Sequence, residues 1–172
     1  MEPIFESITI ETEQLIKESI CFVAGKKLRR NKIIFGLGAA AFLYLAIERS
    51  SPLLYVAAAI YAYLFIWQFI GPSYSAKKAI QNKLAYYNQT NPPLTYRFFE
   101  DHFEQSDIDS WYSSPYDKVQ AVARLRNCIL VQVENRGGMP ISLEGFQKGT
   151  PEELVEFLRT KYTQPNPANW KW

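Results

Sequence analysis

The chain has 172 residues, 48% of them apolar, and a formal net charge of +2 at pH 7. This length accommodates one ordinary domain, or a membrane segment joined to a small soluble domain. The small net charge argues against a nucleic-acid-binding protein. Cys21 and Cys128 lie far apart and neither belongs to a CxxC motif, so neither a disulfide framework nor a zinc site is indicated.

The first 32 residues are polar and contain no apolar segment of the signal-peptide type. A short strand is predicted over Ile4 to Ile10, followed by a helix that Thr12 caps. Apolar residues at helical spacing mark one face of this helix, namely Leu15, Ile16, Ile20 and Val23. We expect residues 1–32 to form a cytoplasmic strand and an amphipathic helix whose apolar face lies on the membrane or on the soluble domain.

Two apolar runs follow, over 33–47 and 53–70, and Glu48 and Arg49 are the only formally charged residues between 33 and 70. The second run is close to the ~20 residues that a membrane-spanning helix needs, whereas the first needs snorkelling flanks or a thinner bilayer. The intervening ERSSP segment predicts a turn, with Pro52 in the first turn of the next helix. The sequence therefore predicts a transmembrane helical hairpin over 33–70, and a buried soluble hairpin is the alternative.

Small residues on both apolar runs predict where the two helices pack. Gly36 and Ala40 on the first, and Ala58 and Ala62 on the second, have the small-xxx-small spacing that permits close contact in lipid. The Gly36/Ala40 face would also allow a homo-oligomer. Trp67 is placed for the interface between hydrocarbon and headgroups.

Basic residues flank the predicted hairpin on both sides: Lys26, Lys27, Arg29, Arg30 and Lys32 precede it, and Lys77, Lys78 and Lys83 follow it. Positive charge is retained on the cytoplasmic side, so we expect both termini in the cytoplasm and the ERSSP turn outside. These residues serve as topology determinants, and contact with anionic lipid headgroups is a second role that they permit.

A basic helix and linker are predicted over 71–93, ending at Pro92 and Pro93, and an α+β domain over 94–163. Its predicted strands cover Leu94 to Glu100 and Phe103 to Ile108, with Asp101 and His102 in the turn. A second hairpin pairs DKVQAVARL with CILVQVE, and NRGG forms a further turn before MPISL. The expected architecture is an antiparallel sheet closed on one side by a C-terminal helix.

The segment GTPEELVEFLRTKY predicts that C-terminal helix. Thr150 and Glu153 match a capping box, and Pro151 suits the first helical position. Its buried face should consist of Leu154, Val155, Leu158 and Tyr162. Residues 164–172 are predicted to be a flexible tail, in which Trp170 and Trp172 offer a contact with the bilayer as the alternative.

No pattern of catalytic, metal-binding or cofactor-binding residues stands out. His102 is the only histidine, and the acids near it belong to a hairpin that projects alternate residues to opposite faces. Ser113, Ser114 and Ser142 have no nucleophile elbow. NRGG and EGFQKGT lack the strand-to-helix pattern of a phosphate-binding loop. The sequence therefore favours a protein that is not an enzyme.

Three segments, LTYRFFEDHFEQSD, PYDKVQAVARLRNCILVQV and ISLEGFQKGTPEELVEFLRTKY, together with the preceding hairpin, resemble the YcxB-like family of small bacterial membrane proteins. The resemblance covers about residue 4 to Tyr162, with His102 where the family often has Gly and Ser142 where it has Pro. It implies a multi-pass protein of the bacterial cytoplasmic membrane and a soluble domain similar to bacterial pleckstrin-homology-like domains. It implies no enzyme activity and no cofactor.

These features favour a non-enzymatic membrane protein whose cytoplasmic domain binds a protein or lipid partner, as an adaptor or sensor. The expected partners are the bilayer and an unidentified protein. An immunity protein against a membrane-active toxin is the first alternative, and a lipid-modifying hydrolase is the second. A neighbouring toxin gene would favour the former, whereas convergent titratable side chains near the membrane would favour the latter.

Overall fold

The computed structural model describes residues 2–88 and 90–161. These residues divide into two compact units, one made of those up to position 19 and from position 79 onward, and the other of residues 20–78. The first unit, which we call the folded domain, therefore draws on both ends of the sequence rather than on 94–163 alone. Tyr162, Trp170 and Trp172, for which the sequence suggested roles, lie outside the described residues.

Residues 20–78 are dominated by two long helices. Helix α2 runs from Gly25 to Arg49 and helix α3 from Pro52 to Tyr86, so both extend well beyond the apolar runs. Ser50 ends α2 in the left-handed conformation, with φ of 47°, and Pro52 begins α3 as predicted. The second run does not end in a separate basic helix, because α3 continues through Pro72.

Helix α1, Glu13–Val23, follows the first strand. The Leu15 backbone N–H donates to Thr12 Oγ1 at 3.3 Å, which confirms the predicted cap. Its buried side chains are Leu15 and Ser19, and Val23 at the end of the predicted apolar face is 48% exposed. Ser19 tolerates burial because its hydroxyl donates to the Leu15 carbonyl at 2.9 Å.

A five-stranded antiparallel sheet forms the larger half of the folded domain. Its strands are β1 (Phe5–Thr9), β2 (Leu94–Phe98), β3 (His102–Ser106), β4 (Trp111–Pro115) and β8 (Phe146–Lys148), in the order β4-β3-β2-β1-β8. Strand β1 pairs with β2 on one side and β8 on the other. His102 lies in β3 rather than in the turn, and β4 and β8 were not predicted.

A three-stranded antiparallel sheet contains β5 (Val119–Arg124), β6 (Cys128–Val133) and β7 (Gly137–Ser142). This sheet contains the predicted second hairpin, and β7 begins at Gly137, within the NRGG segment that was predicted as a turn. Asn135 and Gly137 adopt positive φ of 61° and 83°, as a tight turn at this point requires. A short 3-10 helix, Tyr116–Lys118, connects the two sheets.

Helix α4, Pro151–Lys161, completes the α+β domain. The Glu153 N–H donates to Thr150 Oγ1 at 3.3 Å and the Thr150 N–H to Glu153 Oε2 at 3.0 Å, which confirms the predicted capping box. Leu154, Val155 and Leu158 are buried in one hydrophobic core with side chains from both sheets. The fold class is therefore confirmed at this level: long apolar helices, antiparallel sheet and a C-terminal helix.

Candidate functional site

The contact between α2 and α3 is made mainly by aromatic rings and small residues. Tyr61 lies between Phe35 and Phe42, with ring centroids 6.0 and 5.1 Å away, and a Cβ added to Gly38 would collide with its ring. Glycine at position 38 thus allows the Tyr61 ring to lie against the α2 backbone.

Of the four small residues predicted to pack between the helices, three lie at or near the α2–α3 contact and one lies on the exposed surface. Gly36 faces Phe65, Ala58 is buried and Ala62 is half-buried, but Ala40 is exposed. The seam on α2 runs through positions 35, 42 and 46, and at about 100° per residue position 40 is turned away from it. Ala40 is therefore outside the helix contact, contrary to the prediction.

The outer surface of the two helices is apolar and exposed. Both helices are long and apolar enough to cross a membrane, and only 6% of the most apolar window in each is buried. Their 25 and 35 residues correspond to about 37 and 52 Å, against a hydrocarbon core of about 30 Å. Exposed large side chains include Ile33, Ile34, Leu37, Leu43, Tyr44, Ile47, Leu53, Val56, Ile60, Tyr63 and Ile66.

Three aromatic side chains form a ladder on the exposed face of α3. Trp67 stacks on Tyr63 with centroids 6.2 Å apart, and its other neighbour, Tyr74, lies at 5.8 Å. All three are at least 41% exposed. Amphipathic rings at this end of an apolar surface suit the boundary between hydrocarbon and headgroups.

The basic residues from both flanks lie at the same end of the hairpin. Lys32 Nζ lies 4.0 Å from the centroid of the Phe69 ring, which brings the start of the first apolar run beside the end of the second. Beyond this contact, both helices extend toward the end of the hairpin that lies opposite Ser50. They carry the basic collar, which consists of Lys26, Lys27, Arg29, Arg30, Lys32, Lys77 and Lys78.

The folded domain has an open cleft of about 430 Å³. Its apolar lining includes Ile10, Leu15 and Leu143, and its charged lining consists of Arg126 and Glu144. Ile10 is 56% exposed, so its side chain is accessible to a partner in the cleft. The cleft offers an apolar floor with one charge of each sign. No local pattern in the sequence signals it, because its lining comes from three separated segments.

The acid-rich β2–β3 hairpin holds His102 between two carboxylates. His102 Nδ1 lies 2.6 Å from Asp101 Oδ1, and Nε2 lies 3.6 Å from Glu104 Oε1. The hydrogen bond with His102 lowers the pKa of Asp101 below its ordinary value. Within the described ranges, no group of three or more His, Cys, Asp or Glu side chains converges to hold a metal ion.

Two of the three serines considered as nucleophiles, Ser114 and Ser142, make local contacts. The Ser114 hydroxyl donates to the neighbouring Pro115 carbonyl at 3.4 Å, and Ser142 Oγ accepts from the Glu144 N–H at 3.3 Å. In the part of the chain that the structure describes, His102 makes its side-chain hydrogen bonds and ion pairs with Asp101 and Glu104 and with no serine. The geometry therefore offers no support for a Ser-His-Asp site.

Comparison of the chain with protein-family models, with curated proteins and with solved structures gave no match.

Proposed function

We propose that this chain is an integral protein of the bacterial cytoplasmic membrane, anchored by the α2–α3 hairpin, and that its folded domain binds a partner without catalysing a reaction. The observation that carries the proposal is the large apolar surface that two long helices expose. A hydrophobic surface of this extent is stable in lipid but promotes aggregation in water.

Soluble core helices and cleaved signal sequences are also apolar, but neither fits this hairpin as well as a membrane anchor does. The core helices of a soluble protein are mostly buried, whereas only 6% of each apolar window is buried here. A signal sequence cleaved after α2 would remove β1, which pairs with both β2 and β8 in the sheet. A retained hairpin leaves that sheet complete.

The proposed orientation places the basic collar and both termini in the cytoplasm and Ser50 outside. Seven bases lie at one end of the hairpin, and the turn at the other end has only Arg49 beside Glu48. The positive-inside rule favours this arrangement. The excess of positive charge at one end is the feature that supports it.

For the folded domain we propose a pleckstrin-homology-like fold and kinship with YcxB-like proteins. Two antiparallel sheets that share one core with a C-terminal helix support this assignment. Domains of such shape serve many functions, so the cleft and not the fold carries the proposed binding role. Its exposed Ile10, between polar and charged rims, suits a partner segment with an apolar anchor.

Membrane insertion is tested by fractionation and alkaline carbonate extraction of two matched variants. Ile60→Arg places a charge on the exposed face of the hairpin, and Ile108→Arg makes the same change at an exposed site in the folded domain. We expect only Ile60→Arg to reduce membrane insertion, because a central arginine costs roughly 2.5–3.5 kcal/mol on the insertion scale. Extraction of the unaltered protein by carbonate would contradict the proposal.

The binding role is tested by crosslinking the full-length protein in native membranes. A partner that uses the cleft should be lost when Ile10→Arg adds a charge to its apolar lining, and retained with Ile108→Arg. Equal crosslinking by both variants would rule out the cleft as the binding site.

A further inference from the structure

We propose that the basic collar binds the phosphate groups of anionic phospholipids and so gives this protein a preference for anionic over zwitterionic lipid. The inference rests on the proposed membrane insertion and goes beyond it, because topology alone requires no preference among headgroups. It concerns the seven residues of the collar and the apolar surface that they border.

The charge of the collar is uncompensated within its own unit. Residues 20–47 and 51–78 contain seven bases and no acid. In the part of the chain that the structure describes, none of these seven side chains forms an ion pair, although other bases such as Lys83, Arg97 and Arg124 do. Six of the seven are exposed, and Lys32 is half-buried over Phe69. Mutual repulsion among these cations is relieved when an anion binds.

The position of the collar identifies the source of that anion. Lys32 lies over an aromatic ring of the apolar surface, and Ile33 and Ile34, the next residues along α2, are at least 50% exposed. An anionic phospholipid presents a phosphate directly above its acyl chains and, unlike phosphatidylcholine, has no ammonium group to offset that charge. One molecule therefore satisfies both the charge of the collar and the apolar surface. A free phosphate satisfies only the charge.

The residue types suit a phosphate ligand. Arg29 and Arg30 offer planar guanidinium groups that donate two parallel hydrogen bonds to one phosphate. The lysines extend long apolar stems along the helix while their ammonium groups reach the headgroup layer. The seven residues from Lys26 to Lys32 span about 9 Å of helix, enough to cross a headgroup layer of about 5–8 Å and more than a single ion site needs.

The test uses the full chain in nanodiscs that contain equimolar phosphatidylglycerol and phosphatidylcholine with identical acyl chains. Native mass spectrometry after release counts the lipids that each protein retains. A base near an anionic surface contributes about 1 kcal/mol, which is roughly a fivefold preference per charge. We expect the wild-type chain to be enriched in phosphatidylglycerol at least about fivefold.

Four substitutions in the collar, Lys26→Gln, Lys27→Gln, Arg29→Gln and Arg30→Gln, should together reduce the enrichment, and the further changes Lys77→Gln and Lys78→Gln should bring the retained ratio close to one. The pair Lys77→Gln and Lys78→Gln, which lies on α3 rather than α2, should reduce the enrichment by itself. The matched control neutralises four exposed bases of the folded domain that lie outside the cleft, Lys17, Lys118, Arg136 and Lys148, and should keep the wild-type ratio.

The results separate this inference from the proposed function. A chain that fails to enter nanodiscs would overturn both. A chain that enters but retains the two lipids equally, or collar variants that retain the wild-type ratio, would overturn the lipid preference and leave membrane insertion standing. The measurement is repeated in a buffer with inorganic phosphate and in one with chloride at equal ionic strength. If the enrichment were lost in phosphate but not in chloride, free phosphate rather than lipid would be the source of the anion.

Discussion

At the scale of single residues, Gly38 shows how α2 and α3 come together. A Cβ at this position would collide with Tyr61, whereas a Cβ at Gly25 of the same helix would meet nothing within 4 Å. Gly38→Ala gains about 1 kcal/mol of helix propensity in the interior of α2, and Gly25→Ala, at the first residue of the helix, gains no more than that. A lower stability of Gly38→Ala therefore reports the collision. We expect Gly38→Ala to be less stable than Gly25→Ala by about 1–3 kcal/mol in thermal unfolding in detergent. Equal stability would show that Tyr61 moves away at no cost.

The two cysteines should differ sharply in reactivity. Burial, together with the nearby Glu18 carboxylate, raises the pKa of the Cys128 thiol to about 12. Cys21 is exposed. Since the thiolate is the reactive form, we expect a maleimide to modify one thiol in the folded protein at pH 8 and the second only after denaturation. Rapid modification of both thiols in the folded protein would contradict the buried position of Cys128.

At the scale of elements, β1 joins the beginning of the chain to the folded domain. Phe5 is buried, and its ring centroid lies 5.4 Å from that of Phe157. Ile8, on the opposite face of the same strand, is 39% exposed. Phe5→Ala should lower the free energy of unfolding of this domain by about 3–5 kcal/mol. Ile8→Ala should lower it by much less. Urea unfolding, monitored by hydrogen exchange of the β2 amides, measures the loss of unfolding free energy in both variants. Similar losses would argue against β1 as a core strand.

The α4 capping box is a second test at this scale. Thr150→Ala removes the oxygen that accepts from the Glu153 N–H and should cost about 1 kcal/mol. Glu153→Ala should cost a similar amount, and the double variant less than the sum, because each partner serves the same motif. A double-mutant cycle in urea measures the coupling, and strictly additive losses would contradict a shared cap.

At the scale of the whole molecule, features encoded by neighbouring residues were predicted and those formed by distant segments were not. The capping box, the Thr12 cap and the β5–β6 hairpin depend on local spacing, and the structure confirms them. Strand β8 is short and is held by β1, from the opposite end of the chain, so local periodicity does not reveal it. The sequence predicts a separate basic helix from residue 71, yet α3 continues without a break from the apolar run through Pro72. The cleft requires the tertiary fold, whereas the basic collar is visible in the sequence and needs the structure only to bring its two halves together.

The most direct test of the proposed membrane hairpin compares the two ends of residues 20–78 in intact cells. Cys21 lies before the collar, and Ser50→Cys in a Cys21→Ser background places the only exposed thiol of the described residues at the opposite end. With a membrane-impermeant maleimide, we expect Ser50→Cys to be labelled in intact cells and Cys21 only after the membrane is opened. Labelling of Cys21 but not of Ser50→Cys in intact cells would contradict the proposed orientation. Labelling of neither or both, independent of membrane opening, would contradict the membrane hairpin itself.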